Sequence, residues 1–588
     1  MGEDSFPNCI DVALGREEAD LVIKNAKLIN VYTGEILTDQ TITVKGNWIS
    51  SVGQLPSDQT IGHKTKVIDA LGKTLIPGLI DGHTHIFGQY FEPIDFLKHV
   101  IPSGTTTLVT ETLEPVFISG KEGFFDLIKV LTDQPIKIFF LAPPLLTISP
   151  NIYPLDQNSA LEMLRHKDVL GLGESYWQLV LSNQDKLKPL MQEALQLGKR
   201  LEGHSAGARK QKLNAYLSTG ISSCHEPISV EEVVERLRLG IHVMIREGSI
   251  RSDLEMIAPI KDFKDIDLRR LILVTDSVTP HDLLEKGAME YLVQKVIDLG
   301  FDPVTAIRMA TLNPAEHFGI DSTLGGIAPG KQADMVIIPE PENIQAEYVI
   351  SQGVVIAEQG KALKDPRQDQ ISEVYRKTVK LPSKGFQASD FSIKTLTRQE
   401  DLQVRVIDQI TDLVTKEKIM SMPVKHGQIN IDIDRDIIKV AAIDRVINPG
   451  QISLGLIHGI GLKEGAFASS ATWDSTDIIV IGADESDMAQ AVNRVRGLQG
   501  GIVVCSKGQI RAELPLPYFG LLPDIQAKDV VTKLDEIKEH LRQLGADLQQ
   551  PCLTLNVLTT AAIPFYRICE QGLIDFKDQI TRDVLIVT

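Results

Sequence analysis

The segment from Thr74 to Phe87, TLIPGLIDGHTHIF, constrains this chain more than any other, because it runs a short apolar strand directly into two histidines one residue apart. Side chains alternate faces along a strand, so His83 and His85 point the same way and can grip one divalent ion with two imidazoles. His-x-His pairs also occur on solvated strands, so the pair alone does not decide the matter. The apolar run before it argues for a buried strand end, and for a fold that gathers other groups there.

That fold is legible downstream. Short apolar runs recur at 106–110, 136–142, 168–174, 199–204, 220–226, 241–247 and 270–276, separated by helical stretches and mostly closed by a polar or ionisable residue. With the first strand at 76–83 they number eight. This rhythm is the signature of an α/β protein built on a (β/α)8 barrel, whose site lies at the C-terminal ends of the strands. The strand ends supply Glu174 in GLGES, His204 in EGH, His225 in SSCHE and Asp276 in LVTDS. Singly, each has an ordinary reading: a carboxylate at a helix start, or a histidine satisfied in the core. Together with His83 and His85 they form a set of four imidazoles and two carboxylates at the strand ends of one barrel. Nitrogen and carboxylate donors without thiolates suit zinc, manganese or ferrous iron, and they suffice for two ions sharing a carboxylate.

The flanks read differently. From Ala19 to Ala70 apolar and polar residues alternate between turn signals, and Gly325 to Gly360 returns to that pattern, so the two stretches are expected to complete one small, mostly antiparallel sheet domain. The expected organisation is an N-terminal segment and the first part of a small β-sandwich-like domain at 1–73, the barrel at 74–322, the second β part at 323–365, a polar linker at 366–390, and a further α/β or α+β domain at 391–588.

Composition excludes several function classes. With 60 basic and 78 acidic residues the formal charge is −18, which disfavours nucleic-acid partners and suits a small neutral or cationic substrate. Five scattered cysteines without a Cys-x-x-Cys pair argue against a disulfide framework and against a cytidine-deaminase-type zinc site. The N-terminus lacks a basic and then apolar export signal, and no uncharged apolar run reaches membrane-spanning length, so a cytoplasmic protein without a membrane partner is expected. IIVIGADES is not followed by Gly-x-Gly-x-x-Gly, which argues against a dinucleotide site.

Over nearly its whole length the sequence resembles the amidohydrolase superfamily, and within it the bacterial adenine deaminases. The resemblance rests on PGLIDGHTHI, VIPSGTTTLVTE, GLGES, EGHSAG, KLNAYLSTGISSCHE, LVTDSVTPHDLLEKGAMEYLV and LGGIAPGKQADMVI, and, in the C-terminal region, on LKEGAFASSATWDS, DMAQAVNRV and AELPLPYFGLLPD. It implies a binuclear centre of two divalent ions, manganese or iron with zinc as a further candidate, held by His83, His85, Glu174, His204, His225 and Asp276. It also implies hydrolysis of adenine to hypoxanthine and ammonia, with Asp276 carrying the proton and Glu226 polarising a ring nitrogen. A homodimer is expected by fold-level analogy.

The sequence departs from the family in four places: Glu111-Thr112-Leu113-Glu114 where a histidine is usual, Ser277-Val278-Thr279 after Asp276, Thr472-Trp473-Asp474-Ser475-Thr476 where two histidines are usual, and Cys224 where an aspartate is usual. Glu114, Ser277, Trp473 and Asp474 are the expected substrate-binding residues. Because a pocket built to hydrogen-bond one ligand rejects analogues that leave its groups unpaired, the departures keep open an amidohydrolase acting on another heterocycle, cyclic amide or amidine. A non-catalytic metal-binding or interaction protein is the alternative from another class.

Overall fold

The computed structural model describes residues 8–54, 59–144, 147–149, 155–397, 399–563, 565–576 and 580–586. The first seven residues, part of the stretch read above for an export signal, lie outside that set.

Eight parallel strands form the barrel: β1 (Leu79–Thr84), β2 (Thr105–Thr110), β3 (Lys137–Ala142), β4 (Val169–Tyr176), β5 (Arg200–His204), β6 (Ser223–Cys224), β7 (His242–Arg246) and β8 (Leu271–Val274). Continuous ladders join β1 to β5 and β6 to β8. The β5/β6 seam is held by Ser222 N–H donating to Leu201 O at 3.0 Å. At the other seam Thr84 pairs with Asp276, as Asp276 N–H donates to His83 O at 3.0 Å and His85 N–H to Asp276 O at 2.8 Å. The closing hydrogen bonds therefore run through the backbone of three of the expected metal ligands.

The first barrel strand begins later than the sequence suggests. Thr74–Pro77 belongs to the outer sheet, pairing antiparallel with Met335–Ile338, and Gly78 separates the two strands. A Cβ on Gly78 would lie 2.2 Å from Thr106 Oγ1, so only glycine lets the chain cross here.

The two flanking β regions merge into one nine-stranded sheet in which Thr74–Pro77 and Met335–Ile338 are neighbours. It is antiparallel except where Leu21–Asn30 runs parallel to Lys66–Asp69 and Thr74–Pro77. Ile23, Ile42, Val44, Met335 and Ile350 fill its core, and Lys137 at the foot of β3 reaches across to Asp334 at 2.7 Å.

The segment after residue 366 crosses to the C-terminal region. Tyr375 stacks on Phe519 with centroids 4.7 Å apart and donates to Asp126 Oδ2 at 2.9 Å, so it clamps the barrel helix Leu113–Leu131 to the C-terminal fold. That fold is a ten-stranded sheet with the helices Glu485–Leu498 and Ala527–Gln543 packed against it. Asp484 caps the first of these helices by accepting from Asp487 N–H at 2.9 Å, and Met488, Ala491, Val492 and Val495 turn inward from it. Between the strands Ala466–Ser469 and Asp477–Gly482, the turn carrying Trp473 and Asp474 projects over the C-terminal mouth of the barrel.

Candidate metal centre and substrate pocket

The strand ends converge at one mouth of the barrel. Four imidazole nitrogens surround one oxygen, Glu174 Oε1: His225 Nε2 at 2.6 Å, His83 Nε2 and His204 Nδ1 at 3.5 Å each, and His85 Nε2 at 3.9 Å. Asp276 Oδ1 lies 3.7 Å from His83 Nε2 and 3.4 Å from His85 Nε2. Two donor clusters result, His83, His85, Glu174 and Asp276, and Glu174, His204 and His225, with Glu174 common to both. Among the described residues Nε2 of His83 and Nδ1 of His204, both directed at Glu174, are buried without a hydrogen-bond partner. Buried polar atoms normally find partners, so orphaned nitrogens aimed at carboxylates fit a cation between them.

Asp276 reaches this position through a left-handed backbone, φ 59°. A non-glycine residue there is strained, and the strain is held by the barrel-closing hydrogen bonds on either side.

Two residues not expected from the sequence as members of the site stand beside the centre. Glu111, at the end of β2, is buried 3.8 Å from His83 Nδ1 and accepts the N–H of Glu174 at 3.0 Å. Gly173 makes room for it, since a Cβ there would fall 2.2 Å from Glu111 Oε2. Arg246, at the end of β7, is buried and pairs with Glu226, donates from Nη2 to Asp253 Oδ2 at 2.8 Å, and lies 3.5 Å from Asp276 Oδ2. Both end an apolar strand with an ionisable residue, the same signal that marks the other ligands. Glu226 is thus an ion-paired residue of the pocket, 3.3 Å from His225 Nε2 and 3.6 Å from His204 Nδ1.

The opposite wall comes from the C-terminal region. Asp474, also left-handed at φ 54°, accepts from Tyr176 Oη at 2.8 Å, from Ala561 N–H at 2.8 Å and from Thr560 Oγ1. Trp473, Ile563 and Leu413 supply apolar surface. Glu114 and Ser277 are buried, line the pocket, and have no side-chain hydrogen bond among the described residues.

The structure sorts the departures from the family pattern. Thr112 Oγ1 donates to Leu141 O at 2.7 Å, Leu113 packs on Phe117, and Thr279 caps the helix Pro280–Glu285; none of the three lines the pocket. Ser277 and Trp473 do. Cys224 faces away, its Sγ 2.8 Å from Ser205 Oγ, which also receives the buried Arg236 guanidinium.

The carboxyl groups respond to these surroundings. Burial alone would raise Glu174 and Asp276; the imidazoles around Glu174, and His83 and Arg246 beside Asp276, overcome it and hold both well below the usual carboxylate range. Burial pushes Glu111 up to about 8 and Glu114 up to about 7.

Residues 74–363 match the model of the amidohydrolase family, and residues 412–579 match the adenine deaminase C-terminal domain. An adenine deaminase of Kosmotoga olearia is 35% identical over 96% of both chains. Those of Cenarchaeum symbiosum and Moorella thermoacetica are each 34% identical over 96% of this chain, covering 93% and 96% of their own lengths. Since the similarity spans barrel, flanking sheet and C-terminal domain together, the chain belongs to the adenine deaminase family of amidohydrolases.

Proposed function

We propose that this protein hydrolyses adenine to hypoxanthine and ammonia at a centre of two divalent ions, manganese or iron, with zinc compatible with the same donors. The convergence of four imidazoles on Glu174 Oε1 carries this reading. His83, His85, Glu174 and Asp276 would hold one ion; Glu174, His204 and His225 would hold the other. When bound, such a pair supplies nucleophilic water at neutral pH.

The protein's own groups then handle protons and position the ring. Asp276 has one oxygen toward the histidines and the other toward Arg246, so it can take a proton from the attacking water and return it to the ring nitrogen or the departing amine. Glu226, fixed by Arg246, is placed to polarise a ring nitrogen. Glu114 and Ser277 offer hydrogen bonds to the ring, while Trp473 and Ile563 cover it from water. Five free cysteines, four of them buried, suit the reducing cytoplasm in which a base-salvage enzyme would work.

The test is direct. Protein loaded with manganese should release hypoxanthine and ammonia from adenine, and a fully metallated sample with no turnover defeats the proposal. Ser277 and Trp473, the two pocket-lining departures, favour running pterins and small cyclic amides beside the purines. A preference for one of these by orders of magnitude would move the substrate to another heterocycle on the same metal centre.

A further inference from the structure

His204 is held from outside the barrel. Its Nδ1 faces Glu174 Oε1 at 3.5 Å, and its Nε2 lies 3.1 Å from the backbone carbonyl of Ala562, in the C-terminal domain. A carbonyl only accepts, so Nε2 carries the proton and donates it there, which leaves the lone pair on Nδ1, the nitrogen facing Glu174. Partners of this kind set the tautomer and the ring orientation of a ligating histidine.

The Ala562 carbonyl is itself anchored on both sides. Before it, Ala561 N–H donates to Asp474 Oδ2 at 2.8 Å, and Thr560 Oγ1, which donates to the same carboxylate, accepts Ala562 N–H at 3.0 Å. After it, Arg567 on the strand Tyr566–Cys569 donates to Ile563 O from Nε at 3.0 Å and from Nη2 at 2.8 Å, and Nη2 also reaches Leu413 O at 2.8 Å. Ile563 and Leu413 both line the pocket. Arg567 is fully buried, has no ion-pair partner among the described residues, and leaves Nη1 without a hydrogen-bond partner there. Burial lowers its pKa to about 9, and the charge of Asp474 offsets part of that cost. A buried, unpaired guanidinium is expensive, and a side chain needed only to fill space would be better apolar. What the charge secures is a pair of pocket-wall carbonyls, which one planar fork of donors reaches together.

We propose that Arg567 is a positioning residue of the metal centre: by fixing Ile563 it holds the Ala562 carbonyl on His204 Nε2, so that the C-terminal domain sets the orientation of one of the barrel's ligands. The proposal rests on the two-ion reading of the centre and is independent of which heterocycle is attacked. It gives the C-terminal domain a part in the chemistry beyond covering the barrel mouth, because one segment carries both the pocket wall and the hold on His204. Loosening that segment should weaken the ion held by Glu174, His204 and His225 and spare the one held by His83, His85, Glu174 and Asp276.

Chelator competition on the full-length, manganese-loaded protein, without substrate, tests it. Wild type should hold two ions, and in Arg567→Met one of them should bind about 10–100-fold more weakly while the other keeps its affinity. Arg567→Lys, which retains a donor for one carbonyl, should recover part of the loss, and melting temperatures establish that each variant folds. Thr560→Val frees the same segment from Asp474 without touching a buried charge and should weaken the same ion by a smaller factor; it decides the matter if Arg567→Met does not fold. Both ions at wild-type affinity in the folded variants, or both weakened alike, overturn the proposal whatever the melting temperature, since a merely structural role lowers stability without singling out one ion. Two ions bound with no turnover of adenine defeats the deaminase reading and leaves this proposal standing. A wild-type protein that binds fewer than two ions overturns it together with the two-ion centre.

Discussion

Glu174 and Asp276, on the barrel face of the pocket, are held well below the usual carboxylate range, whereas Glu114 and Asp474, across the same pocket, are pushed up. All four are buried, and burial raises each of them. What differs is company. The barrel face sets imidazoles and the Arg246 guanidinium around its carboxylates, while Asp474 is met by hydroxyls and one backbone N–H, and Glu114 by no hydrogen-bonding side chain among the described residues. One face is a bed for cations. The other is a hydrogen-bonding wall whose carboxyls burial raises, and a hydrolase that attacks a neutral heterocycle with activated water needs both.

The largest break in that contrast comes from removing the charge of Asp276. Asp276→Asn keeps the shape but not the proton acceptor, and turnover should fall about 10²–10⁴-fold, with metal content by elemental analysis separating a chemical loss from a binding one. Unchanged turnover would remove Asp276 from the chemistry. Arg246→Met is next. It strands Glu226 and Asp253 as buried carboxylates without their partner and should destabilise the fold by about 3–5 kcal/mol in urea unfolding. A loss under 1 kcal/mol would mean that water already solvates these carboxylates.

A smaller effect is expected at Glu111→Gln. The carboxyl faces His83 Nδ1, the ring nitrogen away from the expected ion, and such partners orient a ligating histidine. Metal affinity, read by competition with a chelator, should fall about 10–100-fold. Affinity equal to wild type would make Glu111 a support for the Glu174 backbone alone.

The same contrast explains how much of this protein was legible in its sequence. The barrel face was, because each strand is a short apolar run that delivers its last residues to the mouth: His83, His85, Glu174, His204, His225 and Asp276 all stand at or just past their strand ends, Asp276 by a left-handed turn. Glu111 and Arg246 also close apolar runs, but nothing in the sequence alone sets either beside the ligands. The wall was less legible. Asp474 meets Tyr176 across 298 positions of sequence, and only the folded C-terminal domain brings them together. Nor does sequence separate Thr112, Leu113 and Thr279, which serve packing and capping, from Ser277 and Trp473, which face the pocket.

The smallest expected effect isolates burial from company. Glu290 lies on the barrel helix Met289–Asp298, with Ala288 N–H donating to its Oε2 at 3.3 Å and no cation paired to it among the described residues. Burial pushes it up to about 7, against an ordinary value of 4.5. The folded protein therefore binds this proton more tightly than the unfolded chain does, and the associated stability is complete below about 4.5 and lost as pH rises through about 7. Glu290→Gln mimics the protonated form at every pH. Plotted as the difference from wild type in urea-unfolding free energy, the variant should gain relative stability across that window and hold the gain above it. The site carboxylates of the barrel face carry the opposite sign, because cations more than offset the same burial. If the Glu290→Gln difference is flat with pH, burial without a cation does not raise a carboxyl in this barrel, and the upward shift of Glu114 on the wall loses its physical basis.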